Sequence, residues 1–291
     1  MPVSKSPVPD RAEHNAFFPS EYSLEQSVAK KTDFDGATGA PRVTSGPHKI
    51  LTIAVDERYL PTEGGLFSTG NHPVETLVPL MHLQAAGYEV EVATLSGNMA
   101  KLEMWAIPEE DEAVKAAYEG LLPALSKPKR LADVVATELG SDSEYAAVFI
   151  PGGHGVMGGG IPDSSAVKDV LVWALENERP VIALCHGPAA LCAATDEDGT
   201  SYFAGYSLCV FPDSLDAGAL VEIGYLPGRP TWKLGERLRQ QGLTIVNDDI
   251  SGQIHRDRLL LTGDSPLAAN ALGRLAVETL TGGTYSSKGS D

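Results

Sequence analysis

Short apolar runs punctuate the first two thirds of the chain, and they limit its architecture more than any other feature. "HKILTIAVD" (48–56), "YEVEVATL" (88–95), "YAAVFIPGG" (145–153) and "PVIALCHG" (180–187) are each too short for a helix of typical length and too continuously apolar for a half-exposed strand. Such runs are the signature of strands covered on both faces in a parallel sheet. Between them the apolar period lengthens to that of a helix. His72 to Ala86 carries Val74, Leu77, Val78 and Met81 on one face, and Asp163 to Glu178 carries Val167, Val170, Leu171 and Ala174. The alternation predicts an α/β fold with a doubly wound, mostly parallel sheet sandwiched by helices. "LTIVNDD" and "RLLLTGD" are expected as later strands.

Residues 1–48, rich in Pro, Ser, Gly and charge, are expected to form an arm that docks on the body. Residues 49–96 then make the first part of the core domain and 131–291 its second part. The acidic, helix-prone 97–130 reads as an inserted small helical cap, or second domain. Acidic residues exceed basic ones by 39 to 22, a net charge of -17 that repels phosphate backbones and anionic lipid, so neither nucleic acid nor membrane is an expected partner. The opening residues lack the apolar segment of a secretion signal, which gives a cytoplasmic expectation.

Three cysteines, too few for an even disulfide framework and without CxxC spacing, fit a reducing compartment. Cys192 and Cys209 read as small buried hydrophobes. Cys185 differs, because a strand that ends in a nucleophile and turns at once into a small-residue helix is the arrangement of a nucleophile elbow. The turn lifts the side chain above the carboxyl edge of the sheet, where ligands bind, and the helix N-terminus favours a thiolate, so Cys185 is expected to be activated. "FIPGGHG" ends a second strand in glycines, and the backbone around Gly152 and Gly153, with that of His186, is the expected source of oxyanion-stabilising N–H groups. Pro73 suits a first helical turn, and Glu75 just behind it is either a helix-dipole carboxylate or, if it faces Cys185, a general acid/base. His186 needs an orienting acid, for which "FPDSLD" offers Asp213 and Asp216.

Together with "NAFFPSEYSL", "LFSTGNHPVET", "DSEYAAVFIPGGHG", "LCHGPAA", "EIGYLPG" and "NDDISGQIHRDRLLLTGDSP", these segments resemble the PfpI-like superfamily of the class I glutamine amidotransferase fold. Within it the resemblance is to the HchA-type heat-shock chaperones, also described as glyoxalase III and as protein/nucleic acid deglycases. The resemblance implies a cofactor-free, homodimeric enzyme on a flavodoxin-like sandwich. It implies Cys185 as nucleophile, His186 as triad base, Asp216 as triad acid and Glu75 as the assisting carboxyl. The implied activity is glutathione-independent conversion of methylglyoxal to lactate, with glyoxal and glycated or unfolded proteins as further partners.

A holdase chaperone, a cysteine redox sensor and, more remotely, a peptidase are the competing expectations. Some relatives in the superfamily carry a metal site of two His and one carboxylate. Here Gln84 occupies one His position, Glu89 matches the carboxylate and the insertion contains no His, so no metal is expected. His82 reads as a satisfied structural histidine.

Overall fold

Alternation along each central strand decides which way its side chains face. The computed structural model describes residues 3–285 and contains, in chain order, strands β1 (Val8–Pro9), β2 (Ala16–Phe18), β3 (Lys49–Ile53), β4 (Tyr59–Thr62), β5 (Gly65–Ser68), β6 (Glu89–Thr94), β7 (Lys129–Arg130), β8 (Tyr145–Ile150), β9 (Val181–Leu184), β10 (Ser207–Leu208), β11 (Thr244–Ile245), β12 (Ile254–Asp257) and β13 (Leu260–Gly263). In β3, Leu51 and Ile53 enter one apolar cluster while Ile50 enters another. Val148 and Ile150 of β8 face the first cluster and Ala147 and Phe149 the second, and β9 divides Val181 and Ala183 from Ile182 and Leu184 in the same way. Both faces are therefore buried, as the continuous apolar runs predict, and each fully buried Leu, Ile, Val or Phe contributes about 1.5–3 kcal/mol.

These strands form a seven-stranded sheet in the order β12-β13-β9-β8-β3-β6-β7, parallel throughout except for the β12–β13 pair. From β3 the chain winds outward through β6 and β7, then returns to β8 on the other side of β3 and continues to β9. This reversal is a topological switch, and the crevice at the carboxyl ends of the strands beside it is where such sheets bind ligands. The order matches the expected α/β class, and "RLLLTGD" supplies β13 as a central strand. "LTIVNDD" does not join this sheet: Thr244 and Ile245 pair instead with Ser207 and Leu208 in a separate two-stranded ladder.

A hairpin not foreseen in the sequence, β4–β5, leaves the chain between β3 and the next helix. Its signal is the Gly64–Gly65 turn, where Gly65 takes a φ of +132° that a side chain would strain. The arm adds to this hairpin, with β2 parallel to β5 and β1 antiparallel to β2. Ser20 caps a short helix, Glu21–Ser27, and its hydroxyl donates to the Ile223 carbonyl. Within 97–130, the helix Glu112–Ser126 follows its Asp111 cap and buries Val114, Leu121 and Leu125 in the same cluster as Leu77 and Leu80 of the helix Pro73–Ala85. Lys129 and Arg130 then form the edge strand β7.

The helix Pro73–Ala85 is buried nearly all round and packs against the C-terminal helix Ala269–Thr281. Gly273 permits this contact, because a Cβ there would lie 2.6 Å from His82 Cδ2 and 3.0 Å from Pro79 Cα. Gly273→Ala should therefore overpack the interface and cost roughly 1–3 kcal/mol. A lowered urea midpoint checks this; an unchanged midpoint would mean that the two helices separate freely.

Candidate active site

Cys185 sits one residue beyond β9 with a φ of +59°, in the left-handed region that a side chain enters at a cost. The conformation is fixed from both sides: Cys185 N–H donates to Gly263 O at 2.9 Å, and its carbonyl accepts from Phe211 N–H at 3.0 Å. The next turn is a 3₁₀ helix, Gly187–Ala193, rather than the expected α-helix. It can lie against β8 because residue 187 is glycine; a Cβ there would stand 2.4 Å from Ile150 O. This is the geometry of the nucleophile elbow.

His186 Nδ1 lies 3.2 Å from Cys185 Sγ, and His186 Nε2 lies 2.9 Å from Asp216 Oδ2. Because an ionised carboxylate only accepts, Nε2 carries the imidazole proton and the Nδ1 lone pair faces the thiol. Asp216 lies in a π-helical turn, Leu215–Ala219. Asp213 is engaged elsewhere, accepting from the Gly235 and Glu236 N–H groups at the start of the helix Leu234–Gln240. The geometry thus separates the two acids that the sequence leaves open.

A second imidazole, not singled out in the sequence, reaches the same carboxylate: His154 Nε2 is 2.8 Å from Asp216 Oδ1. Its ring is 4.0 Å from that of His186, which also stacks on Phe211 at 4.8 Å. Burial pushes both histidines towards neutrality. The charges of Asp216 and Glu103 nevertheless hold His154 above its usual range, whereas burial and the adjacent His154 keep His186 below its own. Burial opposes ionisation of Asp216 too, but the two imidazoles hold it well below the usual carboxylate range. One buried anion is thereby shared by a histidine that tends to carry charge and a histidine that remains a free base.

Glu75 faces Cys185, not solvent. It is fully buried, and neither carboxyl oxygen has a complete hydrogen bond. Gly152 makes room for it, since a Cβ on that glycine would fall 2.0 Å from Glu75 Oε2 and 2.8 Å from Cys185 Cβ. Burial raises the Glu75 carboxyl well above its ordinary value, an effect the neighbouring thiol partly offsets. Burial, and then the Glu75 charge, push the thiol well above its ordinary value, and the His186 N–H aimed at the sulfur recovers only part of the difference. Two buried acids side by side compete to remain protonated. Cys192 and Cys209, both buried, are pushed up to about 12 and lie outside this cluster, as expected of structural thiols.

A cavity of about 530 Å³ opens over the sulfur. Gly153, with a φ of +107°, lies on its wall beside Cys185, His186 and Glu75. Its rim is formed by arm residues 26–29 and 31–33 together with Ile250 and Leu267. Three polar residues missed in the sequence also line it. Glu103, between β6 and the helix Glu112–Ser126, accepts a hydrogen bond from Thr69 and is pushed up to about 7 by burial. His72, the residue before Pro73, and Tyr225, from "EIGYLPG", complete the set. Their spacing in sequence carries no periodic signal, because they meet only through the sheet and the arm.

The residues at the superfamily's metal position do not fit that group. Gln84 and Glu89 are exposed, Glu89 has only His48 nearby at 4.0 Å, and both His82 nitrogens are bonded, to Tyr285 and Asn270. His82 is the satisfied structural histidine expected. His154, His186 and Asp216 bring possible ligand atoms within 4.8 Å of one another, but both Asp216 oxygens already accept from the two imidazoles. Among the described residues no helix is long and apolar enough to cross a membrane.

His72 makes a pH test possible. Burial, reinforced by His154 and His186, pushes it down to about 3, against 6.5 for a free imidazole. Between those values the unfolded chain binds the extra proton, so the contribution of His72 to stability is present above about pH 6.5 and is lost as pH falls towards 3. In His72→Gln the drop in urea midpoint between about pH 7.5 and pH 5 should be smaller than in the parent. An equal drop in both proteins would show that the imidazole protonates freely in the fold.

The DJ-1/PfpI family pattern matches residues 66–279. Over 279 residues the chain is 58% identical to a protein/nucleic acid deglycase HchA of Staphylococcus aureus (strain bovine RF122 / ET3-1), covering 96% of this chain and 95% of that protein. It is 57% identical, with the same coverage, to the protein of that name from strain Newman. Its fold is similar to the crystal structure of glyoxalase III from Candida albicans, with a TM-score of 0.64 at 20% identity over 80% of this chain and 98% of that one. With the parallel sheet and the cysteine elbow, these likenesses establish that the chain belongs to the DJ-1/PfpI family.

Proposed function

We propose that the chain is a glutathione-independent glyoxalase that converts methylglyoxal and related 2-oxoaldehydes to 2-hydroxy acids through Cys185. The observation that carries this reading is the buried Glu75 carboxyl, without a complete hydrogen bond, beside a cysteine on a strained elbow. As the sulfur adds to the aldehyde carbon, the thiol proton passes to His186 Nδ1, whose imidazolium is steadied by Asp216. The Gly153 backbone, on the cavity wall, is the proposed donor to the oxygen that develops charge.

Glu75 gives its own proton to the oxygen on carbon 1, completing the hemithioacetal, and as carboxylate takes the hydrogen from carbon 1 to leave an enediolate. It returns that hydrogen to carbon 2 while the carbon-1 hydroxyl proton passes to the oxygen on carbon 2. The product of this transfer is a 2-hydroxy thioester. Water cleaves it: its hydroxyl goes to the acyl carbon, His186 returns its proton to the sulfur and Glu75 is reprotonated, so the sum is methylglyoxal plus water to lactate and a proton. Electrons move only within the substrate. Burial raises the resting thiol, and addition to a carbonyl removes the need for a free buried thiolate.

A second reading, removal of aldehyde adducts from glycated side chains, uses the same addition at sulfur. The names of the curated relatives support it, as does a cavity far larger than a three-carbon substrate needs.

Lactate formation from methylglyoxal in chelator-treated, glutathione-free buffer tests the first reading. Cys185→Ala should lose roughly 10³-fold or more of kcat/KM, and Glu75→Gln about 10²- to 10⁴-fold. A folded parent without turnover would remove the glyoxalase assignment. For the second reading, release from a glycated peptide should persist when free aldehyde is quenched; if it stops, repair is only the removal of free methylglyoxal.

A further inference from the structure

A 2-oxoaldehyde brings two adjacent oxygens to the cavity. Cys185, His186, Glu75 and the Gly153 backbone all act at carbon 1 or on the hydrogen that leaves it. The oxygen on carbon 2 passes from carbonyl to enediolate to hydroxyl, and away from water it needs a donor of its own. Several polar groups around the sulfur are already engaged, while His72 Nδ1, Glu103 Oε2 and the Glu75 oxygens have no hydrogen bond among the described residues. The Nε2 atoms of His154 and His186 are bonded to Asp216, the Thr69 hydroxyl is bonded to Glu103, and the His186 N–H points at the sulfur.

Among the described residues Tyr225 has no such commitment. Its ring is only 7% exposed and is packed at 5.7 Å from Phe67, 5.6 Å from Trp105 and 5.9 Å from His154. The turn that delivers it is fixed as well. Gly224 adopts a φ of +74°, a Cβ there would meet Lys5 O at 1.7 Å, and Tyr225 N–H donates to Leu220 O at 2.8 Å. A rigid ring thus stands on the cavity wall. Burial and the charges of Glu103, Cys185, Glu75 and Asp216 raise this phenol well above its ordinary value, with no hydrogen bond among the causes. It remains a donor throughout the neutral range.

We propose that Tyr225 is a specificity-determining residue whose hydroxyl donates a hydrogen bond to the carbon-2 oxygen of a 2-oxoaldehyde held at Cys185. The inference rests on the glyoxalase reading for its substrate. It adds that the site selects a dicarbonyl over a simple aldehyde, which matches the protein only at carbon 1.

Tyr225→Phe removes the hydroxyl and keeps the ring. Its kcat/KM for methylglyoxal should fall roughly 10- to 100-fold, the range for losing one hydrogen bond to a group that gains charge. Two controls read the rest of the site: the rate of Cys185 alkylation by iodoacetamide, followed by peptide mass, and protection against that alkylation by propanal, which lacks the second oxygen. Both should match the parent, while protection by methylglyoxal weakens selectively. Unchanged methylglyoxal turnover, or equal weakening of protection by the two aldehydes, overturns the proposal. If the parent makes no lactate, the glyoxalase reading fails by itself. The comparison of methylglyoxal with propanal protection still decides Tyr225: selective loss supports it and equal protection overturns it.

Discussion

The left-handed backbone at Cys185 is the constraint on which the site depends. A non-glycine residue holds such a conformation only where its surroundings over-determine it, at a cost on the order of 1–3 kcal/mol. Here the sheet does so: β13 takes the Cys185 N–H through Gly263, and the segment after β10 donates to its carbonyl through Phe211. The backbone twist aims the sulfur across the end of β8 towards Glu75, and a glycine at 152 leaves the space in which the two meet. Parallel strands buried on both faces supply a frame stiff enough to hold this geometry.

Electrostatics in the pocket follow from how few charges are admitted. Asp216 is the carboxylate that its neighbours keep ionised, and two imidazoles divide it. Glu75 and Glu103, equally buried, are pushed the other way because no cation faces either of them directly apart from His154 beside Glu103. The result is a site poised to exchange protons internally. Removing His154 would hand Asp216 entirely to His186 and thereby change the base that faces the thiol.

Sequence periodicity revealed the frame well where burial on both faces leaves a continuous apolar run, as in β3, β8 and β9. β3, β6, β8 and β9 all fall within their expected runs, and the helices at 73–85 and 165–176 lie inside theirs. The Cys-His corner was legible for the same reason, since it interrupts such a run. The β4–β5 hairpin was not, because its strands are short and half-exposed. His154, Glu103, His72 and Tyr225 escaped notice because long-range packing alone gives them a common address. At Cys185 two local effects oppose each other: a helix N-terminus favours thiolate, and burial beside a carboxyl favours thiol.

The family pattern begins at residue 66, yet the cavity rim is built from residues 26–29 and 31–33, and Lys5 abuts the turn that carries Tyr225. Bond-making groups and the arm's share of the doorway therefore lie on separate stretches of chain, with Ile250 and Leu267 completing the rim from within the matched region. A relative could exchange its leading segment and admit a different molecule without altering an atom of the reaction centre. In this architecture reactivity and admission can evolve as independent traits.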